Sequence, residues 1–392
     1  MPTDAARIAA IDETALRLRR AIGRAVGAGA DLQPAVAALS ATYRSGEMAP
    51  ADQAPVRDPT TAAAYAAARI PATFAATARA MAAIAERAPA FEPTTLLDVG
   101  AGSGAAAWAA SAVWPTLARL TLVERERAAV ELGRRVVAGH PGALATASWL
   151  VADLQNARPD PADIVVAGYV LGEIAEPVRM TVLSRLWETT TGVLALVEPG
   201  SRAGFERIRT ARTALIAAGG HVIAPCPGDL ACPLTGPEWC HFLARLDRSP
   251  LQRRAKDAAR SWEDEPFSYV AIGRTPWVAA SPAARVVLGR PRQRPGMIEL
   301  RACRDGRIER RTLSRRDGPA WRAARDLAWG DPVPPAVLAA GAVASDGAGH
   351  RTSRHRPDGP SPADAPVADA RSADPGPDDQ VRPDASPPHP ST

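Results

Sequence analysis

Four cysteines are the whole complement of this 392-residue chain, and three of them fall within fifteen residues. Cys226, Cys232 and Cys240 stand in APCPGDLACPLTGPEWCHF, and Cys303 follows in ELRACRDG. The spacing is C-x5-C-x7-C, with the fourth cysteine after a further 62 residues. Thiolates are soft ligands that suit zinc, copper(I) or iron–sulfur clusters. Structural zinc sites favour C-x2-4-C knuckles, and this chain has none. Iron–sulfur cages accept longer and more varied loops, often beside proline, and Pro225, Pro227 and Pro233 flank Cys226 and Cys232. The four thiols therefore read as one cage for a four-iron (4Fe-4S) cluster, with zinc as second choice. Buried free thiols are the plain alternative, which an irregular Gly/Pro loop disfavours. His241, beside Cys240, reads as a packing partner or as a donor behind the ligands.

A second chemistry-bearing stretch lies upstream. Asp98-Val-Gly100-Ala-Gly102-Ser-Gly104 follows the apolar run Thr95–Val99 and precedes the helical stretch Ala105–Val113. Glycines there let the backbone turn sharply and approach a ligand closely. A generic G-x-G-x-x-G loop indicates dinucleotide binding. The D-x-G-x-G-x-G form resembles that of S-adenosylmethionine-dependent methyltransferases of the Rossmann-like class. Glu124, twenty residues past Gly104, ends the second strand, where in that class a carboxylate accepts both ribose hydroxyls. Asp153 ends the third strand, where the class reads the adenine amino group. A loop without a basic residue also suits a cofactor without a pyrophosphate. The expected donor-binding set is Asp98, Gly100, Gly102, Gly104, Glu124 and Asp153. The fourth strand, which normally carries the chemistry, runs into Ala167-Gly168-Tyr169-Val170-Leu171-Gly172-Glu173. It lacks both the Asn/Asp-Pro-Pro-aromatic pattern that holds a base amine and a cysteine for attack on a pyrimidine ring. Tyr169 and Glu173 read equally as groups facing the donor methyl or as loop and packing residues, so no catalytic residue is assigned.

Loops of this kind need strands and helices to hold them. Apolar runs at Thr95–Val99, Leu120–Val123, Ala147–Ala152, Asp163–Val170 and Val193–Val197 alternate with helical stretches at Arg125–Val137, Pro177–Thr189 and Phe205–Ala218. That βαβ repetition predicts an α/β fold with a Rossmann-like, doubly wound, mostly parallel sheet. Residues 1–90 read as an alanine-rich helical region capping it, with Ile8, Ile11, Leu16 and Leu18 on one amphipathic face and Pro71 breaking a later helix. Residues 91–222 form the donor-binding domain, and 223–340 form the cysteine loop plus an arginine-rich β extension. Within that extension the loop spans Pro225–Asp247, a polar helix Arg248–Trp262, strands Phe267–Ile272, Arg285–Leu288, Met297–Ala302 and Ile308–Leu313, and a closing helix Trp321–Trp329. Residues 341–392 are expected to be disordered: from Arg351 onward there are ten prolines and no Ile, Leu, Met, Phe, Tyr or Trp.

Composition narrows the partners. Hydrophobic residues make up 46%, enough for a substantial core, and net charge is +5 with Lys256 the sole lysine. No stretch of about 18 apolar residues occurs, so no membrane partner is expected. The N-terminal MPTDAARIAAIDETALRLRR mixes acids with bases and has no apolar signal core. With thiols free for ligation, this indicates a cytoplasmic protein, or a mitochondrial one if the source is eukaryotic. Arg274–Arg325 holds fourteen arginines against Glu299, Asp305, Glu309 and Asp317. Arginine forks suit phosphate, and such a face would contact RNA. The competing reading is a solvated surface in an arginine-biased composition. Trp277, Trp321 and Trp329 are read as core rather than as base-stacking platforms.

Five further segments carry a family resemblance: VEPG (197–200), APCPGDLACPL (224–234), EWCHFLARLDRS (238–249), EDEPFSYVAIGR (263–274) and AWGD (328–331). The chain resembles the methyltransferase-like proteins associated with the small ribosomal subunit, known from mitochondria and found in bacteria. The resemblance covers roughly residues 60–331. It implies an S-adenosylmethionine fold, a 4Fe-4S cluster on Cys226, Cys232, Cys240 and Cys303, and partnership with ribosomal RNA or the small subunit, with no DNA partner. It leaves two functions open: methyl transfer during subunit assembly, or a non-catalytic RNA-binding assembly factor.

Overall fold

The computed structural model describes residues 4–27, 29–45, 56–277, 286–340 and 342–345. Thr95–Val99 (β1) buries four of its five side chains, the continuous burial of a strand covered on both faces. It pairs in parallel with Arg119–Glu124 (β2) on one side and Ala162–Gly168 (β4) on the other. Ser148–Val151 (β3) lies outside β2, and Thr190–Pro199 (β5) outside β4. Trp262–Gly273 (β8) then runs antiparallel to β5, and His221–Ala224 (β6) antiparallel to β8. The order is β3-β2-β1-β4-β5-β8-β6. It reverses between β1 and β4, which is where open α/β sheets bind ligands.

Helices cover both faces. Ala105–Val113 (α5) and Arg127–Val137 (α6) follow β1 and β2, and bury Trp108 and Leu132 among one core. Glu176–Glu188 (α7) and Arg202–Ala217 (α8) cover the other face with Leu183, Trp187, Ile208 and Leu215. The N-terminal helices are Asp4–Val26 (α1), Gln33–Ser45 (α2), Pro59–Ala68 (α3) and Ile70–Arg87 (α4), and all four bury residues in the first core, α2 through Val36 and Leu39. Asp58 caps α3 in a capping box with Thr61, and Pro59 opens it. Pro71 stands in the first turn of α4, so it separates two helices rather than kinking one. In α1 the buried face is Leu18, Ala21 and Ile22. Ile8 and Leu16, expected on it, are 59% and 41% exposed.

Downstream of residue 220 the sequence reading needs correction. The stretch expected as loop to Asp247 ends in a strand, Phe242–Asp247 (β7), paired with the first half of β8. Phe242, Ala244 and Leu246 alternate inward, a period-2 signal that the neighbouring Cys, Pro and Gly obscured. β6, although just four residues long, was missed for the same reason. The polar helix is only Pro250–Ala255 (α9), because β8 claims the chain from Trp262. The closing helix is likewise short, Pro319–Arg325 (α10), and is followed by Pro335–Ala339 (α11).

A second, antiparallel sheet forms from Val286–Val287 (β9), Arg292–Arg294 (β10), Met297–Arg304 (β11), Arg307–Ser314 (β12) and Ala342–Ser345 (β13). Ile298, Leu300 and Leu313 give it its own small core with Val333 and Val337. β13 pairs with β12 past the change in composition, since ladder bonds need no large side chain. The proline-rich residues 346–392 lie outside the described residues. No described helix is long and apolar enough to cross a membrane.

Candidate donor pocket and cysteine cage

The glycine loop leaves β1 with three left-handed residues: φ is 66° at Gly100, 55° at Gly102 and 92° at Gly104. A β-carbon on Gly100 would also stand 2.5 Å from Val170 Cγ2. The close approach of the loop to the turn after β4 is thus built on glycine. Asp98 is 1% exposed and accepts a 3.0 Å hydrogen bond from the Ala107 N–H. It braces the loop onto the first turn of α5. Glu124 ends β2, and its carboxylate accepts from the Gly102 N–H at 2.8 Å and the Glu126 N–H at 2.9 Å. Burial raises its pKa, and the two N–H donors partly offset that. Asp153 follows β3, half-buried, its Oδ1 taking the Gln155 N–H at 2.8 Å. The carboxylates and glycines thus lie along the carboxyl ends of β1, β2 and β3.

Burial pushes the Asp98 carboxyl up to about 7, against the pull of the Ala107 N–H, with the Glu124 charge adding to the rise. Between about pH 4 and 7 the folded chain holds a proton that the unfolded chain has released. Stability from this group is full below that window and is lost as pH rises through it, by at most about 1.4 kcal/mol per pH unit. Asp98→Asn keeps an acceptor and removes the titration. Denaturation midpoints should fall less steeply from about pH 4 to 7 in the variant than in the parent; parallel curves would refute the assignment.

Three residues not anticipated from sequence gather beside this loop and the turn after β4. Tyr65 of α3 is half-buried, its ring 3.9 Å from where a Gly102 β-carbon would stand. Burial, and then the Glu173 charge, raise its phenol above the ordinary range. Arg69 pairs with Glu265 of β8 at 3.0 Å. Glu265 Oε1 also accepts the Tyr169 hydroxyl at 3.0 Å. Tyr169 sits at φ 61° just after β4, and uncommon backbone of this kind gathers at functional sites. Its side chain is therefore tied into an Arg69–Glu265–Tyr169 network. Glu173 remains exposed at the rim. The helix that carries Tyr65 and ends at Arg69 lies in the alanine-rich region expected to be helical, where no local pattern singled out those two side chains.

All four cysteines line one cavity of about 50 Å3, with Phe205, Arg212 and Tyr269 among its other walls. Each is half-buried and none is in a disulfide. No group of three or more His, Cys, Asp or Glu among the described residues stands ready for a single metal ion. Burial raises the thiols of Cys226 and Cys240, and pushes that of Cys303 up to about 12. Charge on the neighbouring cysteines adds to each rise, and Arg212 opposes it at Cys226 and Cys303. The loop is pinned by backbone contacts: Ser268 Oγ donates to Cys240 O at 2.8 Å, Arg87 to Cys226 O at 3.2 Å and Trp239 Nε1 to Gly200 O at 2.9 Å. Cys303 reaches the cavity from β11, whose Arg301 forks onto Glu238 at 2.6 and 2.9 Å. His241 stacks on Trp239 and lies tilted against Trp329, so it packs.

On the second sheet, Arg290, Arg292, Arg294, Arg307, Arg315, Arg316 and Arg322 are exposed. Others are used internally: Arg311 is 3% exposed and pairs with Glu309 at 3.0 Å, and Arg310 lies 3.4 Å from Glu299. Trp321 lies beneath Arg315 and Arg325, and Trp277 packs edge-on against Phe91.

The chain is similar to the human ribosome assembly protein METTL17, mitochondrial by name, with 32% identity over 289 residues, 69% of this chain and 62% of that one. It is similar to the mitochondrial Rsm22-cox11 tandem protein 2 of Schizosaccharomyces pombe, with 25% identity over 294 residues, 61% of this chain and 38% of that one. It thus spans less than two thirds of either relative. Among solved structures, the magnesium protoporphyrin IX methyltransferase of Synechocystis PCC 6803 is 11% identical, over 53% of this chain and 82% of that one, at a TM-score of 0.34. The family described as mitochondrial small ribosomal subunit Rsm22 matches residues 59–334, more than half of the sequence, and the chain belongs to that family.

Proposed function

We propose that this chain is an S-adenosylmethionine-dependent methyltransferase-like protein that acts on ribosomal RNA or the small ribosomal subunit during its assembly. The observation that carries the reading is the pairing of Gly102 with the buried Glu124 carboxylate at the β1/β2 carboxyl ends, in a chain of the Rsm22 family. The donor supplies an electrophilic methyl on a sulfonium. Glu124 is placed to take the ribose hydroxyls, Asp153 the adenine edge, and the glycine backbone the body of the donor. Tyr65 and the Arg69–Glu265 pair shield that surface from water. Rate would then come from orienting donor and acceptor. The exposed arginines of the second sheet supply phosphate contacts.

Cys226, Cys232, Cys240 and Cys303 would hold a 4Fe-4S cluster, which supplies a redox-sensitive crosslink between the sheets. The donor set is all thiol, the soft chemistry that such a cluster takes, and the four cysteines line one cavity. The relatives' names favour the mitochondrial compartment wherever the source has one.

One observation favours the non-catalytic assembly factor instead. The group after β4 that would face the methyl, Tyr169, is bonded within the fold to Glu265. Incubating the full chain with methyl-labelled donor and immature small subunits separates the two. Label in the RNA or in a subunit protein is the expected result; tight donor binding with no incorporation would leave the second function.

A further inference from the structure

Arg212 is a buried cation without a carboxylate. It stands on α8, is 5% exposed, and lines the cavity that the four cysteines share. Its Nη2 donates to Gly228 O at 2.8 Å and Leu230 O at 2.7 Å, both in the loop between Cys226 and Cys232. No carboxylate is among its hydrogen-bond partners in the described residues. Its Nε is buried and makes no hydrogen bond among the described residues, and the guanidinium shares the cavity wall with the Cys226 thiol. A guanidinium cannot shed its proton, and a buried unpaired charge costs several kcal/mol. Phe205, Ile208 and Leu234 among the surrounding walls are apolar, and the carboxylate of the adjoining wall, Asp305, is engaged by Arg304 at 3.0 Å. The anion it lacks is one that the cage would provide.

We infer that Arg212 is the resident counter-cation of the thiolate cage, and that it sets the reduction potential and retention of the group held there. The inference rests on the cluster reading of the four cysteines. Four thiolates carry four negative charges, more than the iron and sulfide core neutralises. A fixed positive charge beside them lowers the cost of the anionic whole and favours the state with one more electron. Its two bonds to carbonyls also hold the loop in the shape that presents Cys226 and Cys232 together. A loop staple alone would leave the potential unmoved, and that difference decides between the roles.

The test uses the full chain, purified without oxygen and reloaded with ferrous iron and sulfide. Arg212→Lys keeps the charge and loses the fork; Arg212→Gln keeps a donor and loses the charge. Reduction by dithionite is followed by visible bleaching and electron paramagnetic resonance, and iron loss by transfer to a chelator. The expected result is a lysine variant near the parental potential and a glutamine variant shifted to more negative potential, releasing iron about tenfold faster or more. A glutamine variant that holds iron at the parental potential would overturn the inference. If the glutamine variant holds no iron, the lysine variant decides: restored iron at the parental potential supports the counter-cation, and loss as complete as with glutamine overturns it. A parent that develops no iron chromophore sinks the cluster reading itself. The Arg212 claim is then read with zinc alone, where weaker binding by the glutamine variant upholds it and equal binding overturns it.

Discussion

Replacing Cys303 by serine is expected to empty the cage of iron and to loosen the second sheet from the first. Cys303 is the one cysteine that β11 brings to the shared cavity; the other three lie between β6 and β7. The second sheet has only a small core of its own. One tie beside the cage is the Arg301–Glu238 fork, whose side chains are 30% and 46% exposed, so that ion pair contributes at most about 1 kcal/mol. A group ligated from both sides contributes far more, because ligation free energy becomes folding free energy. Serine conserves the shape of the thiol, so packing loss is small. The loaded parent should therefore exceed the variant by about 3 kcal/mol or more, roughly 4 °C or more in midpoint for a folded unit of this size. Iron per chain and visible absorbance should fall to near zero. Stripping both proteins with a chelator should erase the difference in midpoint. Unchanged iron content would remove Cys303 from the ligand set.

The residues of both sites could be named from sequence because they sit where local pattern is strong. Thr95–Val99 is an apolar run that breaks into glycine, and Glu124 falls where β2 runs out of apolar residues. Backbone that must turn left-handed three times within five residues admits little but glycine, so the loop announces itself. The cysteines did so through rarity. The groups that complete the sites carry no local signal. Arg69 and Glu265 are 196 residues apart, and only the register of β8 against β7 and β5 brings Glu265 over the carboxyl ends of the parallel strands. Arg212 looked like one more arginine of an arginine-rich helix, and its burial follows from how α8 packs against the cage loop. β7 was hidden for a different reason: Phe242, Ala244 and Leu246 alternate correctly, yet they follow a segment whose prolines and glycines end any period. Ile8 and Leu16 show the converse error, apolar residues on a helix whose buried stripe is elsewhere. Exposed aliphatic residues are ordinary on protein surfaces, so periodicity of type alone did not fix the face.

Glu124→Ala should weaken S-adenosylmethionine binding by about 100-fold, the loss of two charge-assisted hydrogen bonds at about 1.5 kcal/mol each. Each carboxylate oxygen already accepts one backbone N–H, from Gly102 and from Glu126. A carboxylate has about four acceptor sites, so two stay open for the ribose diol. The same bonds fix the carboxylate and keep the Gly102 amide pointing at it, so little ordering remains to be done on binding. Alanine also strands those two N–H groups, and some stability is lost without any ligand. The informative quantity is therefore the donor-dependent rise in thermal midpoint together with calorimetric affinity. In Glu124→Ala that rise should vanish at donor concentrations that saturate the parent. Glu124→Gln retains one acceptor oxygen and should fall between the two. Undiminished affinity in the alanine variant would move the donor away from the glycine loop, and with it the proposed methyl transfer. Small-subunit maturation in cells carrying the same variant then separates the functions. Loss of maturation in step with donor affinity ties assembly to an occupied pocket. Normal maturation would mean that the arginine face and the cysteine cage support assembly without it.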